Sequence, residues 1–295
     1  MKGWLICNGA LNSGKFTEHT EMLLAAAKKN GVEMEYRQSD GIIYTLGGDG
    51  VRFLEEVPEF AVFWDKDIRL AYALEGAGVR LFNSAAAIEK CDDKAITHEV
   101  LAKGGVAMPK TITAPLTFEG VGYPDKKFFE RAGEVLGYPL VVKERFGSFG
   151  KQVYLARSFS ELCEIVDRRA PRGMILQEFV KSSYGRDVRI NVVGGECIAA
   201  MYREAKEGDF RANVTNGGSM REYLPSEEEK AVAVKCCELL GVDFAGVDLL
   251  FGENGPLVCE VNSNAHLKNI MTATGVNVAD EIYRYIKRVQ RDGAK

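Results

Sequence analysis

The chain has 295 residues, a length at which about two domains of roughly 150 residues are expected, and 38 Lys and Arg against 42 Asp and Glu give it a net charge of −4. Hydrophobic residues make up 46% of the chain and charged residues 27%, which excludes a disordered protein, and the weak acidity gives no reason to expect a nucleic-acid-binding protein. The 31 glycines, against eight prolines, indicate many tight turns or loops whose backbone approaches a ligand.

Membrane insertion and export are not predicted. No segment reaches about 18 consecutive apolar residues, and the first residues carry too short an apolar run for a signal peptide. The seven cysteines are odd in number and lack the CxxC spacing of zinc sites. These features predict a cytoplasmic protein with reduced, mostly buried thiols and with no nucleic-acid or membrane partner.

The first third of the chain alternates short apolar runs with helical patterns, which is typical of a mainly parallel sheet covered by helices. Strands are predicted at 4–7, 42–46, 61–64 and 79–82, and helices at 19–29 and 67–75. Two further helices are predicted, capped by Ser84 and by Asp92 or Asp93.

From about residue 108 the pattern changes to α+β. Gly194-Gly195 and Asn254-Gly255 each lie between two apolar runs and predict antiparallel hairpins. The strands are predicted at 138–143, 151–156, 174–179, 187–193, 197–202, 244–251 and 257–261. The helices are predicted at 125–136, 159–169, 227–240 and 279–289.

Two glycine motifs look like nucleotide loops. Residues 9–16 nearly match the pattern GxxxxGK[ST], but Phe16 stands where the pattern needs a hydroxyl for magnesium. We therefore interpret this segment as a loop at the carboxyl end of the first strand, where Asn12 and Lys15 are candidates to contact an acidic substrate. Gly47-Gly48-Asp49-Gly50 is similar to a loop of NAD and diacylglycerol kinases, but the residues that follow differ, and a glycine turn is favoured.

A strand-end lysine and a glycine loop predict a polyphosphate clamp. Lys143 ends an apolar strand, and the backbone N–H groups of Gly147-Ser148-Phe149-Gly150 suit phosphate oxygens. Lys94, at a helix start, offers a second cation. The strand-end segment Gln177-Glu178-Phe179-Val180 can supply the apolar contact and main-chain groups that a purine needs, and Asp187 is a candidate for the ribose hydroxyls.

The strongest chemical signal is a pair of carboxylates and an amide on one hairpin. Glu260 and Asn262 share a face of their strand because they are two residues apart. A three-residue turn at 253–255 places Asp248 opposite Glu260, whereas a two-residue turn shifts the register by one. Oxygen ligands without His or Cys indicate Mg²⁺ or Mn²⁺. The alternative is a polar hairpin end that faces solvent.

Several arginines accompany this hairpin. Arginine is suited to a bidentate grip on a carboxylate or a transferring phosphoryl group. Arg211 and Asn213 lie in a polar loop between the two hairpins, and Arg203 precedes it. Arg189 is a further candidate. A single arginine is more often a surface charge, but the cluster favours a functional role.

The order of these motifs resembles the ATP-grasp superfamily, and most closely its RimK-type ribosomal-protein glutamate ligases and related amino-acid ligases. The resemblance runs from about residue 84 to the end, and the N-terminal third matches only in type. It rests on Lys94, Lys143 with its glycine loop, Gln177-Glu178-Phe179, Gly185-x-Asp187-x-Arg189, Arg211-x-Asn213, Gly246-Val247-Asp248 and Glu260-Val261-Asn262.

The resemblance implies an N-terminal parallel α/β pre-ATP-grasp domain over 1–90 and a two-lobed ATP-grasp fold. Its small or central lobe would cover 91–180, and its C-terminal lobe, with the metal site, 181–295. The implied activity is an ATP-dependent ligase that joins a carboxylate to an amine through an acylphosphate. The amine is expected to be an amino acid, and the carboxylate to belong to a small acid, a peptide or a protein.

The resemblance also implies residue roles. Asp248, Glu260 and Asn262 would hold two Mg²⁺ or Mn²⁺ ions. Lys143, Arg203 and Arg211 would stabilise the transferring phosphoryl group. The ATP contacts would be Lys94, Lys143, Gly147, Ser148, Phe149, Gly150, Gln177, Glu178, Phe179, Val180, Asp187, Arg211 and Asn213.

The segment after Asn262 departs from the family. Glutamate ligases commonly continue Ala-Ser-Pro-Gly-Leu, whereas residues 263–268 here are Ser-Asn-Ala-His-Leu-Lys. This segment borders the acceptor site in the family, so the identity of the amine is open, and Asn264 and His266 are candidates to contact it. His266 is either a base for the amine or a hydrogen-bonding loop histidine.

Two other functions stay open: a kinase on the same scaffold that stops at phosphoryl transfer to a small molecule, and a non-catalytic nucleotide-binding module. A protein tail as substrate and a homo-oligomer are also left open.

Overall fold

The computed structural model describes residues 2–11, 13–212 and 217–292. The N-terminal part contains a parallel sheet of four strands in the order β2-β1-β5-β6, with two helices connecting them. The strands are β1 (Lys2–Cys7), β2 (Glu33–Gln38), β5 (Phe60–Trp64) and β6 (Arg80–Phe82). The helices are α1 (Gly14–Lys29) and α2 (Ile68–Gly76). The predicted βαβ alternation is confirmed, but β2 was missed, and the strand predicted at 42–46 lies outside this sheet.

A small hairpin stands apart from this sheet. It pairs β3 (Tyr44–Gly47) with β4 (Gly50–Phe53), and Gly47 lies opposite Gly50, so that residues 48–49 form the turn. The glycine turn favoured for the Gly-Gly-Asp-Gly motif is therefore confirmed.

Two capped helices lead out of the N-terminal part, as predicted. Helix α3 (Ala85–Asp92) begins after Ser84, whose hydroxyl accepts a hydrogen bond from the Ala87 amide at 3.3 Å. Helix α4 (Lys94–Lys103) begins after Asp93, whose carboxylate accepts from the Ala95 amide at 2.9 Å.

The second sheet is antiparallel, in the order β7-β10-β8-β9. Its strands are β7 (Thr111–Thr113), β8 (Leu140–Glu144), β9 (Val153–Ala156) and β10 (Met174–Glu178). Helices α5 (Lys127–Leu136) and α6 (Phe159–Arg169) pack on this sheet through a core that includes Phe129, Val142 and Leu162.

The third sheet is also antiparallel and has five strands in the order β13-β12-β11-β14-β15. Its strands are β11 (Arg186–Val193), β12 (Glu196–Glu204), β13 (Ser219–Glu222), β14 (Phe244–Gly252) and β15 (Gly255–Asn262). Gly194 and Gly195 form the turn between β11 and β12 with φ of +57° and +81°, values that glycine adopts readily. Helix α7 (Glu227–Leu240) packs on this sheet and begins with a capping box at Ser226 and Glu229.

The last two helices return to the N-terminal sheet. Helix α8 (Leu267–Thr274) precedes α9 (Val278–Asp292), which packs against α1. One buried apolar cluster contains Leu5 of β1, Phe244 of β14 and Tyr283 of α9. The N-terminal sheet and the C-terminal sheet therefore share a core, and the domain boundaries predicted at residues 90 and 180 stay a prediction.

All seven cysteines lie in the described part of the chain, and all are free thiols. The helices among residues 2–11, 13–212 and 217–292 include none with the length and apolar character needed to cross a membrane.

Asn83 joins the N-terminal part to the third sheet through four hydrogen bonds. Its side-chain nitrogen donates to the carbonyls of Phe244 and Ser263, each at 2.9 Å. Its side-chain oxygen accepts from the amides of Asp243 at 2.6 Å and Phe244 at 3.1 Å. Asn83 is completely buried, so water cannot replace these bonds.

We expect Asn83→Ala to lower the free energy of unfolding by about 3 kcal/mol, because it leaves buried main-chain groups without partners. Urea unfolding of the full chain measures this. The matched control is Ser84→Ala, which removes a single capping bond and should cost about 1 kcal/mol. Equal losses in the two variants would contradict the role given to Asn83.

Candidate active site

A cavity of about 750 Å³ lies between the N-terminal sheet and the two antiparallel sheets. Most of the site residues predicted from the sequence line it. These are Lys15, Lys143, Ser148, Phe149, Gly150, Gln177, Glu178, Phe179, Val180, Asp187, Arg189, Arg203, Arg211, Asp248, Glu260, Asn262, Asn264 and His266. Residues more than 240 positions apart in the chain are thus brought to one site.

Four predicted residues are not in this lining. Asn12 and Asn213 lie outside the described residues, so their predicted roles stay predictions. Lys94 and Gly147 lie beside the cavity: the Lys94 ammonium donates to the Gly147 carbonyl at 3.5 Å and lies 3.9 Å from a Glu260 carboxylate oxygen.

The register of the β14–β15 hairpin places Asp248 opposite Glu260, as predicted, but by a different route. The predicted three-residue turn is wrong, since Gly252 pairs with Gly255 and residues 253–254 form a two-residue turn. A β-bulge then leaves Cys259 unpaired and shifts the register by one residue before Glu260. The bulge thus restores the alignment that the short turn alone would have lost.

The donor atoms of Asp248, Glu260 and Asn262 suit a hard divalent cation, because all three side chains offer oxygen. Glu260 is partly exposed, and the side-chain nitrogen of Asn262 is buried with no hydrogen-bond partner among the described residues. Asp248 Oδ1 accepts from Arg189 and retains a lone pair for a cation, whereas Oδ2 contacts both Arg189 and Arg203. Within the described ranges, no three His, Cys, Asp or Glu side chains cluster as a metal site, so the third ligand here would be the amide.

A buried network of two arginines and two aspartates lies behind this hairpin. Arg203 donates to both Asp187 oxygens at 2.7 and 2.6 Å and lies 2.9 Å from Asp248. Arg189 donates to both Asp248 oxygens at 2.6 and 2.7 Å. Strand pairing builds this network, because Asp187 lies opposite Arg203 and Arg189 opposite Asp248.

The network gives its two carboxyls different proton affinities. Burial raises the pKa of the Asp187 carboxyl, although the charge of Arg203 opposes this shift. Burial acts in the same direction on Asp248, but Arg189 and Arg203 outweigh it and lower the pKa of that carboxyl. Asp248 therefore stays ionised, which is the state a metal ligand needs.

Cationic side chains from four parts of the chain contact the glycine loop, residues 147–150. Besides Lys94, the Arg211 guanidinium donates to the Gly150 carbonyl at 3.0 Å. The Lys66 ammonium lies 3.4 Å from the Ser148 hydroxyl, and the Lys15 ammonium lies 4.1 Å from the centre of the Phe149 ring. Lys143, in turn, lies 3.5 Å from the Cys259 sulfur at the bulge. Lys66, Lys94 and Arg211 are also paired with Asp92, Glu260 and Asp209, so much of the positive charge around the loop is balanced.

An apolar end of the cavity lies near β10. Phe179 packs against Phe210 with ring centres 6.2 Å apart. The Glu178 carboxylate accepts from the Lys110 amide at 2.8 Å, and Gln177 donates to the ring nitrogen of His98 at 2.8 Å. Aromatic side chains beside a strand end offer the flat apolar surface that a purine requires.

Besides the predicted Lys15, the N-terminal part contributes several cavity residues that were not predicted from the sequence. His19 lies one helical turn after Lys15 on α1. The carboxyl ends of β1 and β5 contribute Asn8, Trp64, Asp65 and Lys66. Ligands generally bind at the carboxyl ends of parallel strands, and this rule is the signal that could have identified them.

The comparisons with known proteins agree on one family. A family model described as RimK-like ATP-grasp domain matches residues 91–286. The chain is 36% identical over 276 residues to beta-citrylglutamate synthase B of Danio rerio, covering 88% of this chain and 66% of that protein. It is also 36% identical over 287 residues to a probable alpha-L-glutamate ligase of Thioalkalivibrio sulfidiphilus, covering 92% of each.

Solved structures share the fold at lower identity. The ATP-grasp ligase PsnB, complexed with a minimal precursor, aligns with a TM-score of 0.71 at 17% identity over 97% of this chain and 99% of that one. A RimK domain protein ATP-grasp from Sphaerobacter thermophilus gives 0.72 at 19% over 96% and 98%. D-alanine–D-alanine ligase from Bacillus anthracis complexed with ATP gives 0.71 at 17% over 99% of both.

We expect acid to destabilise the protein through His19. Burial lowers the pKa of His19 from 6.5 to about 3, so between these values the unfolded chain binds a proton that the folded chain does not. Stability is therefore complete above the unfolded pKa and falls as the pH decreases. When the pH falls from about 7 to about 5, the free energy of unfolding should decrease in both proteins. The decrease should be smaller in His19→Asn than in the wild type by about 1 to 2 kcal/mol, as measured by urea unfolding at each pH. Thr17→Asn, at an exposed position of the same helix, should keep the wild-type pH dependence.

Proposed function

The chain belongs to the RimK-like ATP-grasp family, and from this we infer that it is an ATP-dependent ligase that joins a carboxylate to an amine. In this reaction the γ-phosphoryl group of ATP passes to a carboxylate oxygen, giving an acylphosphate and ADP. The amine then attacks the acyl carbon. The new C–N bond replaces the C–O bond to phosphate, and phosphate leaves.

The observation that carries the proposal is the hairpin register that sets Asp248 opposite Glu260 in a cavity also lined by Lys143. Two carboxylates directly across a strand pair repel unless cations lie near them, and Arg189, Arg203 and Lys94 supply part of that positive charge here. Lys143, on β8 of the second sheet, lines the same cavity and supplies positive charge for phosphate oxygens. This arrangement is suited to phosphoryl transfer, in which positioning and charge stabilisation supply most of the catalysis.

The nucleotide would lie between the two antiparallel sheets. Phe179 and Phe210 would flank the purine, with main-chain groups of 177–180 at its edge. Lys143, Lys94 and the backbone of the glycine loop would bind the phosphates. Both Asp187 oxygens accept hydrogen bonds from Arg203. Asp187 would therefore bind the ribose hydroxyls while Arg203 holds its carboxylate. Arg211, which is hydrogen-bonded to the Gly150 carbonyl of the glycine loop, would contact the phosphates together with that loop. Asn213 is proposed as a further contact to ATP.

Asp248, Glu260 and Asn262 would hold two Mg²⁺ or Mn²⁺ ions. When bound, such ions neutralise the charge that develops on the phosphoryl oxygens. Arg203 and Arg189 would hold the Asp248 carboxylate in place, because their hydrogen bonds fix its orientation. Lys143 and Arg211 would balance the remaining negative charge.

The carboxylate and amine would bind toward the N-terminal sheet. Lys15 and Arg189 supply positive charge there, which favours anionic substrates such as small polycarboxylates or acidic amino acids. Asn264 and His266 replace the family's usual residues at this end. Glutamate is the amino acid in the names of the curated relatives. Because residues 263–268 differ from the family's usual sequence, the identity of the amine has to be tested directly.

We expect Glu260→Gln to reduce ADP formation on the order of 100-fold, because it removes the charge that would hold the metal ions. Among the residues that the structure describes, the Glu260 carboxylate pairs with Lys94 alone, at 3.9 Å, so the variant should fold normally in urea unfolding. The matched control is Glu253→Gln, at the exposed turn of the same hairpin, which should keep full activity. Undiminished turnover by Glu260→Gln would refute the metal assignment.

A ligase and a kinase differ in their requirement for an amine. ADP release should need both a carboxylate and an amine, and the product should be an amide detected by mass spectrometry. A screen that pairs citrate, glutamate and short acidic peptides with individual amino acids measures this. A stable phosphorylated product formed without an amine would instead establish a kinase.

A further inference from the structure

Two histidines meet at the N-terminal end of the cavity. The rings of His19, on α1, and His266, just before α8, have centres 4.6 Å apart at an angle of 77°. On its other side His19 contacts Trp64, at 5.1 Å between ring centres, and Trp64 stacks on Phe244 at 5.3 Å. A continuous row of rings thus connects the cavity to the buried core.

The two imidazoles have unused hydrogen-bonding capacity. The Nε2 atom of His19 and both ring nitrogens of His266 are buried and have no hydrogen-bond partner in the part of the chain that the structure describes. The main chain of Lys15 lies close to the His266 ring but makes no well-formed hydrogen bond with it. A buried polar atom without a partner costs free energy, and a substrate that donates a hydrogen bond relieves that cost.

The surroundings keep both imidazoles neutral. Burial and then the charge of Lys15 lower the pKa of His266 to about 4, and burial and then His266 lower that of His19 to about 3. Arg189 also acts on His266 and is itself held by Asp248. Glu18 is the nearby acid that acts on His266, and Lys268 pairs with it at 2.5 Å. The net local field is therefore positive.

We propose that His266, oriented by His19, forms the amine subsite of the ligase, binds the amine in its unprotonated form and accepts the proton released when the C–N bond forms. This inference rests on the proposed function. A neutral imidazole offers the amine a lone pair, while Lys15 and Arg189 disfavour a second cation there, so the field that keeps the imidazole neutral also favours the free amine.

The proton balance of the step is complete. The amine nitrogen attacks the acyl carbon, the C–O bond to phosphate breaks, and the proton on the new C–N nitrogen passes to a ring nitrogen of His266. The phosphate that departs is an anion beside Lys15 and Arg189, so its charge offsets theirs and stabilises the imidazolium. His266 then passes that proton to the departing phosphate, which leaves as hydrogen phosphate.

His19 acts in this proposal as a positioning residue. It is 4% exposed and fixed between Trp64 and His266, so its ring limits the orientations of the His266 ring. His19→Asn should therefore weaken the amine reaction less than His266→Asn, while changing its pH profile in the same direction.

Turnover with two nucleophiles tests the proton-accepting role. Hydroxylamine is mostly unprotonated at neutral pH, and the nitrogen that it adds to the acyl carbon is acidic enough to lose its proton to water, whereas an amino acid is mostly an ammonium ion and its adduct holds the proton more tightly. With ATP and a carboxylate, His266→Asn should form hydroxamate at nearly the wild-type rate but form amide on the order of 100-fold more slowly. Its amide rate should rise with pH more steeply than that of the wild type. Thr272→Asn, at an exposed position on α8, is the control and should behave as the wild type.

Equal losses with hydroxylamine and amino acid, or no loss with either, would overturn the proposal for His266. If the wild type forms neither ADP nor hydroxamate with any carboxylate, the proposed function itself fails. The two failures are thus distinguishable, because hydroxamate formation needs the acylphosphate but not the amine subsite.

Nitrogen NMR of the histidine side chains provides a readout without turnover. The chain has only three histidines, and His98, hydrogen-bonded to the Lys94 carbonyl at 2.6 Å, serves as an internal reference. In the full chain with ADP and Mg²⁺, the substrate amino acid should shift the ring signals of His19 and His266 but not those of His98. No shift with any proteinogenic amino acid would overturn the amine subsite.

Discussion

The buried network of Arg189, Arg203, Asp187 and Asp248 is the constraint on which the rest of the site depends. Two positive and two negative groups balance one another, and none could remain buried without its partners, because an unpaired buried charge is far costlier than the pair. The network spans β11, β12 and β14 and so fixes how these strands align. Through the pairing of β14 with β15, the same alignment determines which residue faces Asp248 across the strands.

The sequence contained enough to predict most of the fold, and most of the predicted site residues line the cavity, although the greater part of the cavity lining was not predicted. Helix α7 and its capping box follow directly from Ser226, Glu229 and an apolar period. Strand β2 was missed because Glu33, Glu35 and Arg37 leave it little apolar pattern, and its exposed side chains reflect a sheet edge. Helix α8 was missed because His266 at its start is not a capping residue and makes no side-chain cap. Tertiary packing, not local sequence, specifies both elements.

The carboxylate hairpin illustrates a different limit. The pairing of Asp248 with Glu260 was predicted correctly from an incorrect turn, because local sequence does not distinguish a longer turn from a short turn with a bulge. The side chain of His19 shows the same limit across the chain. The helix that contains His19 was predicted from the apolar pattern. Its contact with His266 depends on how the two ends of the chain pack, and no local pattern predicts that distance.

Asn83 has a consequence for how such proteins can be recombined. Its amide bonds to Asp243, Phe244 and Ser263 make the first ninety residues a structural neighbour of the carboxylate hairpin, not an independent module. A chimaera that took its N-terminal third from a relative would need a matching amide at this position and a matching apolar face against α9. Replacing the N-terminal third alone in order to change the substrate preference would therefore have to preserve the core contacts as well as the cavity lining.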